Sequence, residues 1–201
     1  GHAGHPEVIG TLGQIPDKFH LVSSVEDVEK LQVENTHDLS YVTQTTLSVD
    51  ECRDIVGALN KRFPHIKGPH QEDICYATQN RQNAVKALSS LVDVILVIGS
   101  PNSSNSNRLR ELGERCGIAS YLIDAASDIN PIWLSNVKAV GITAGASAPE
   151  VLVEEVVTYL KTFGPAEVED LTVVEEDVEF LLPKELITIE SSNKSVGVQA
   201  G

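Results

Sequence analysis

Apolar runs that stop at glycine and small polar side chains recur along this chain, and each stop predicts a strand, then a loop, then a helix. The sharpest is Val94-Ile95-Leu96-Val97-Ile98, which ends at Gly99-Ser100-Pro101 and runs on into Asn102-Ser103-Ser104-Asn105-Ser106-Asn107. An unbroken aliphatic run suits a strand buried on both faces, the pattern of parallel sheets. Residues 120–124 and 137–142 read as further strands with a short helical turn near 131–134 between them, and the second leaves through Thr143-Ala144-Gly145-Ala146-Ser147-Ala148-Pro149. Helical spacing puts Ala77, Ala84, Val85, Leu88 and Leu91 on one face. It puts Leu109, Leu112 and Cys116 on a second, and Val151, Leu152, Val156, Leu160 and Phe163 on a third. In a right-handed parallel arrangement the strand exits share one edge, which brings Ser103, Asn105 and Ser147 together.

The first third carries the same alternation less cleanly. Residues 19–22 and 39–46 read as strands, and Gly1-His2-Ala3-Gly4-His5-Pro6-Glu7-Val8 reads as the mouth of a strand upstream of residue 1, with Pro6 opening a helix. Ser23-Ser24-Val25-Glu26 has the form of a capping box, and Ser48 with Glu51 repeats it. The helix after Ser48 aligns Val49, Cys52, Ile55, Val56, Leu59 and Phe63 and stops at Pro64. Lys67-Gly68-Pro69-His70 reads as a linker between domains. Beyond Gly164-Pro165 the acidic groups Glu167, Glu169, Asp170, Glu175, Glu176 and Asp177 flank β-like runs at 171–174 and 178–182. An edge strand at 183–187 and a disordered tail at 190–201 complete the reading.

Composition narrows the class. Aromatic residues make up only 4% of 201 residues while hydrophobic ones make up 41%, so aliphatic side chains build the core, as in α/β proteins. A net charge of −14 argues against nonspecific binding to nucleic acid or to an anionic membrane surface, but local donors still decide whether an anion binds. No apolar run approaches the roughly 18 residues of a membrane-spanning helix. Cys52, Cys75 and Cys116 are an odd, sparse set without a CxxC pair, which points to a reducing compartment rather than a disulfide scaffold. With glycine first and no methionine, the chain reads as a fragment of a longer protein.

The candidate chemistry sits at the strand exits. The helix after Asn102 offers free backbone N–H groups and four short hydrogen-bonding side chains, the makings of an oxyanion or phosphate cradle; the same residues also suit an ordinary capped loop. His5 and Glu7 stand beside a helix start, where an anion is attracted and a carboxyl group can hand over protons, although a chain terminus with histidines also reads as a solvated tail. Thr43, Thr45 and Thr46 read either as β-formers or as site residues. Cys52 and Cys116 fall on apolar stripes and read as core thiols. Cys75 lies in polar surroundings just before a helix, a place that favours the thiolate, the form that binds metal or reacts.

Five blocks carry a more specific likeness: residues 1–8, Thr43-Gln44-Thr45-Thr46-Leu47-Ser48, Asp73-Ile74-Cys75-Tyr76-Ala77-Thr78-Gln79-Asn80-Arg81-Gln82, residues 102–109, and residues 143–149. In this order they resemble the 4-hydroxy-3-methylbut-2-enyl diphosphate reductase (LytB) family. The likeness runs from residue 1 to about residue 186 and spans about the last three-fifths of that family's chain. It implies repeated parallel-sheet α/β domains, two of the family's three, with 1–71 an incomplete middle domain and 72–163 a complete C-terminal one. Residues 164–189 then form a tail segment with short strands.

The activity implied is reductive removal of an allylic hydroxyl from a five-carbon diphosphate at a 4Fe-4S cluster, giving isopentenyl and dimethylallyl diphosphate in the non-mevalonate isoprenoid pathway. By the same resemblance Cys75 is a cluster ligand, and His5, Ser103, Ser104, Asn105 and Ser147 hold the diphosphate. Glu7 relays protons with help from Thr45. The electron donor implied is ferredoxin or flavodoxin, and the setting a bacterial cytoplasm or a plastid stroma. The family's other two cysteine ligands and two further histidines lie in an N-terminal region outside this sequence, and Cys52 and Cys116 do not take their places. This chain alone is therefore expected to hold no stable cluster and to be inactive. The alternative is a diphosphate-binding remnant or regulatory module without redox activity.

Overall fold

In the computed structural model, residues 1–15, 19–69 and 73–175 are described. The fold is α/β and centres on three parallel strands, β1 (Val94–Ile98), β2 (Ala119–Ile123) and β3 (Val140–Ala144), in the order β2-β1-β3. Val94 is in register with Ala119 on one side and Val140 on the other. Every residue of β1 is buried, as an unbroken aliphatic run demands of a central strand. Its side chains alternate between two cores. Ile95 and Val97 pack with Val85 of α4 (Tyr76–Leu88) and with Leu109 and Leu112 of α5 (Ser104–Arg115). Leu96 and Ile98 pack with Ile123, Ile129 and Val156, the last on α6 (Glu150–Leu160). Each buried aliphatic side chain contributes about 1.5–3 kcal/mol, so β1 is the energetic spine of this half.

β3 and helix α4 are bounded differently from the reading of the sequence. β3 starts at Val140 rather than Val137 because Asp93 captures the chain before it: its carboxylate accepts from the N–H groups of Lys138 (2.7 Å) and Ala139 (3.0 Å). These bonds hold the Asp93 carboxyl below the usual carboxylate range. Helix α4 ends at Leu88, so Leu91 lies beyond it and is exposed instead of joining the apolar face. Gly141 lets α4 lie against the sheet, since a Cβ there would stand 2.6 Å from Leu88 Cδ2 and 2.8 Å from its Cγ. Gly141→Ala is expected to lower stability by about 1–3 kcal/mol, the usual cost of overpacking, read from urea unfolding midpoints.

The first third departs further. It holds α1 (Pro6–Leu12), α2 (Val25–Lys30) and α3 (Val49–Arg62), but residues 19–22 and 39–46 form no strand. Among the described residues the one rung near them is the parallel bridge Ser40 to Lys67, closed by Tyr41 N to Lys67 O and Lys67 N to Leu39 O, both 2.9 Å, and Thr45 and Thr46 form a turn. A period-2 apolar pattern makes a strand only where a neighbour supplies a ladder. These segments instead line a cavity of about 530 Å³ with Val8, Leu12, Ile55 and Leu59. The first cap is also displaced: Ser24 is the N-cap of α2 and Asp27, not Glu26, completes its box. At α3 only half the second box forms, because Glu51 turns to Arg115 of α5.

Cys116 is exposed at the C-cap of α5, where the helix stripe has turned to solvent, so it is not a core thiol; Cys52 is half-buried. Residues 171–174 form no strand and their apolar side chains are exposed. The expected strands at 178–182 and 183–187 and the tail at 190–201 lie outside the described residues. No described helix is long and apolar enough to cross a membrane.

What matters for the site is how the loop at 43–48 is fixed against α4 and α5. Gln82 of α4, buried, donates to Leu47 O (2.8 Å) and accepts from Val49 N (3.0 Å), so one amide ties both directions of the loop backbone. Around it lie Lys86–Asp50 (2.6 Å), Glu51–Arg115 and Arg108–Glu111 (2.7 Å). Exposed pairs of this kind add little each, and the buried amide is the stronger constraint.

Candidate functional site

The first cluster is built on α1. His5 is its N-cap and its Nδ1 accepts from Glu7 N at 3.3 Å, while Pro6 takes the first helical position where its missing N–H costs nothing. This cap turns Glu7 toward the loop at 43–46. There Glu7 Oε1 accepts from Thr45 N (2.9 Å) and Oε2 from Thr45 Oγ1 (3.1 Å), a two-point grip on one residue. Thr45 O in turn accepts from Cys75 N (3.1 Å), and Cys75 is the exposed N-cap of α4 with no side-chain capping bond. The Glu7 carboxylate and the Cys75 backbone are thus both tied to one loop residue, although 38 residues separate Glu7 from Thr45.

The second cluster is the start of α5. Ser103 is its N-cap and accepts from Ser106 N (3.3 Å) and Ser106 Oγ (3.0 Å). Ser104 accepts from Thr46 Oγ1 (3.0 Å) and Gln44 Nε2 (3.3 Å), which joins this helix to the loop that holds Thr45. Asn105 is 6% exposed, and neither its Oδ1 nor its Nδ2 has a partner among the described residues. A buried amide left unpaired costs about 1–3 kcal/mol, so an arrangement of this kind is kept where a ligand completes it.

The third wall is the exit of β3. Gly145 N donates to Ile98 O (2.8 Å), and a Cβ on either Gly99 or Gly145 would collide with the Ser106 side chain. Both exits therefore close on one buried serine, and Ser147 stands exposed in the loop beyond. The exits of β1 and β3, expected to bring Ser103, Asn105 and Ser147 together, are joined through Gly145, Ile98 and Ser106. The clusters of Glu7 and Ser104 meet at the consecutive residues Gln44, Thr45 and Thr46, with no bond between the serines and His5 or Ser147.

Four contributors were missed as such in the sequence. Gln44 and Ser106 are both buried, and Thr46 was noted only as one of a threonine run. His2 was noted only as one of two terminal histidines, yet its backbone N–H donates to Gln44 Oε1 at 3.1 Å. Burial pushes the His2 imidazole below its usual range and the Arg108 guanidinium adds to the shift, so it stays neutral to lower pH than a solvated histidine. The only signal for this layer was the small-polar composition of the two loops.

A 4Fe-4S cluster needs several thiolates. Among the described residues no group of three or more His, Cys, Asp or Glu could hold a metal ion, and Cys75 is separate from Cys52 on α3 and Cys116 at the end of α5. The described residues do not by themselves fit the cluster.

Residues 1–161 match the family model described as "LytB protein". A Bradyrhizobium diazoefficiens protein named 4-hydroxy-3-methylbut-2-enyl diphosphate reductase 2 is 59% identical over 186 residues, 92% of this chain and 60% of its own. The Aromatoleum aromaticum reductase of the same name is 58% identical, over 94% of this chain and 60% of its own. Among solved structures, the Plasmodium falciparum E-1-hydroxy-2-methyl-but-2-enyl-4-diphosphate reductase superposes with a TM-score of 0.84 at 33% identity, covering 96% of this chain and 61% of that one. The chain spans about three-fifths of the length of these relatives. On the match of residues 1–161 and the identity to these relatives, the chain belongs to the LytB protein family.

Proposed function

We propose that this chain is the diphosphate-holding and proton-relaying part of a 4-hydroxy-3-methylbut-2-enyl diphosphate reductase. The observation that carries the reading is Asn105, buried at the start of α5 with both amide atoms unpartnered. Ser103, Ser104, Asn105, Ser147 and His5 are the anion donors in this reading. A diphosphate suits them, because short neutral donors at a helix N-terminus grip spread negative charge without burying a counter-charge. The loops at 99–107 and 143–149 take the diphosphate, and the five-carbon end points toward Glu7, Thr45 and Cys75. Residues 1–71 and 72–163 act as the two domains that frame it.

Overall, removal of the allylic hydroxyl consumes two electrons and two protons and releases water. Electrons come from a ferredoxin or flavodoxin. The proton side is its own. Thr45 Oγ1 lies between Glu7 Oε2 and the substrate hydroxyl, which it holds in line with the carboxyl group. Protonated Glu7 then supplies the proton with which hydroxide leaves as water. Cys75 would serve as one thiolate ligand of an iron-sulfur centre.

Anaerobic incubation of the full chain with iron and sulfide, followed by absorbance and EPR spectroscopy, tests this division of labour. No 4Fe-4S signal and no turnover are expected from the 201 residues alone. A stoichiometric, competent cluster would contradict it.

A further inference from the structure

One backbone group fixes the orientation of the amide behind α5. His2 N–H can only donate, so the atom of Gln44 that faces it at 3.1 Å is the carbonyl oxygen Oε1. The other end of the buried Gln44 amide is therefore its NH₂, which donates to Thr46 Oγ1 (2.9 Å) and to Ser104 Oγ (3.3 Å). Thr46 Oγ1 and Ser104 Oγ have thus each accepted one bond from Gln44, and they stand 3.0 Å apart with one hydroxyl proton between them. When Thr46 donates along that contact, Ser104 Oγ receives two donors and its own proton is free for a ligand. Next door, Ser103 Oγ accepts the Ser106 N–H (3.3 Å) and lies 3.0 Å from the Ser106 hydroxyl, which can donate to it in the same way.

We propose that Gln44, Thr46 and Ser106 are positioning residues that fill the acceptor lone pairs of Ser103 and Ser104, so that both hydroxyls present only protons to a bound anion. A serine hydroxyl is otherwise ambivalent, one donor and two acceptor sites on a free rotor. With its lone pairs occupied it stops offering negative density to an anion, and it is polarised by the bonds it receives. The cradle thereby gains anion selectivity without a cationic side chain, in a chain whose net charge is −14. It also ties the grip on the diphosphate to the loop of Thr45, because Gln44 and Thr46 flank that residue. The inference rests on the anion-cradle reading of Ser103 and Ser104 above and adds the layer behind them.

Calorimetric titration of the full chain with inorganic pyrophosphate tests it as a double-mutant cycle, with thermal midpoints recorded for every variant. Thr46→Val keeps the shape and removes the donor, and it is expected to weaken pyrophosphate binding about tenfold, the scale of one hydrogen bond to a charged group. Thr46→Ser keeps the donor and is expected to restore the affinity. In a Ser104→Ala background Thr46→Val is expected to have no further effect, since its action passes through Ser104. Ser106→Ala in a Ser103→Ala background is the parallel cycle, and it decides the matter where Thr46→Val does not fold. A tenfold loss that persists in both alanine backgrounds, or wild-type affinity for Thr46→Val and Ser106→Ala, would overturn the proposal while the cradle stands. Absence of pyrophosphate binding by the unmutated chain would overturn the cradle reading and the proposal with it.

Discussion

Asn105→Leu is expected to make the chain more stable and unable to hold a diphosphate. The side chain is buried and its amide is unpaired on both atoms, so without a ligand it carries the cost of desolvation with no compensating bond. An apolar residue of similar size removes that cost, and unfolding midpoints are expected to rise by the equivalent of about 1–3 kcal/mol. The same change removes a donor from the anion. Bonds to charged groups are worth about 1.5–3 kcal/mol, so pyrophosphate affinity is expected to fall on the order of a hundredfold. The opposite signs are the point: a residue placed for packing gives a loss of stability on substitution, and a residue held ready for a ligand gives a gain.

Glu7→Gln is expected to separate proton delivery from substrate binding. The amide oxygen still accepts from Thr45 N, so the loop geometry is kept, but the side chain no longer supplies a proton at the position of Oε2. Under the proposed function, reductase turnover is expected to fall by about 10²–10⁴, the usual worth of a positioned general acid. Pyrophosphate affinity of the chain is expected to stay within about threefold, because Glu7 is not one of the anion donors. Single-turnover kinetics under anaerobic reduction and calorimetry read the two numbers separately. A parallel fall in both would place Glu7 in the binding machinery instead.

The fold was legible where one signal had no competitor. Val94–Ile98 is uniformly aliphatic and ends in glycine, the pattern of a strand buried on both faces, so β1 followed directly. The segments at 19–22 and 39–46 have the composition of strands but, apart from the bridge of Ser40 to Lys67, lack ladder partners among the described residues, a property of tertiary pairing that local sequence does not carry. Cys116 lay on the apolar stripe by spacing, yet α5 ends there and the next turn faces solvent. In the site, Glu7, Thr45 and Cys75 were visible as residue types beside element ends, and the bonds joining them span up to 38 residues. The backing layer was hidden for a different reason: Gln44, Thr46 and Ser106 are ordinary loop and cap residues until their hydrogen-bond polarity is traced.

The central claim is that the start of α5 and the exit of β3 form a cradle for the diphosphate of a short allylic substrate. Calorimetric titration of the full chain with dimethylallyl diphosphate, against ATP at the same concentration, tests it most directly. One-to-one binding of the prenyl diphosphate, lost in Asn105→Leu, is the predicted result. No binding, or tighter binding of the nucleotide, would contradict it.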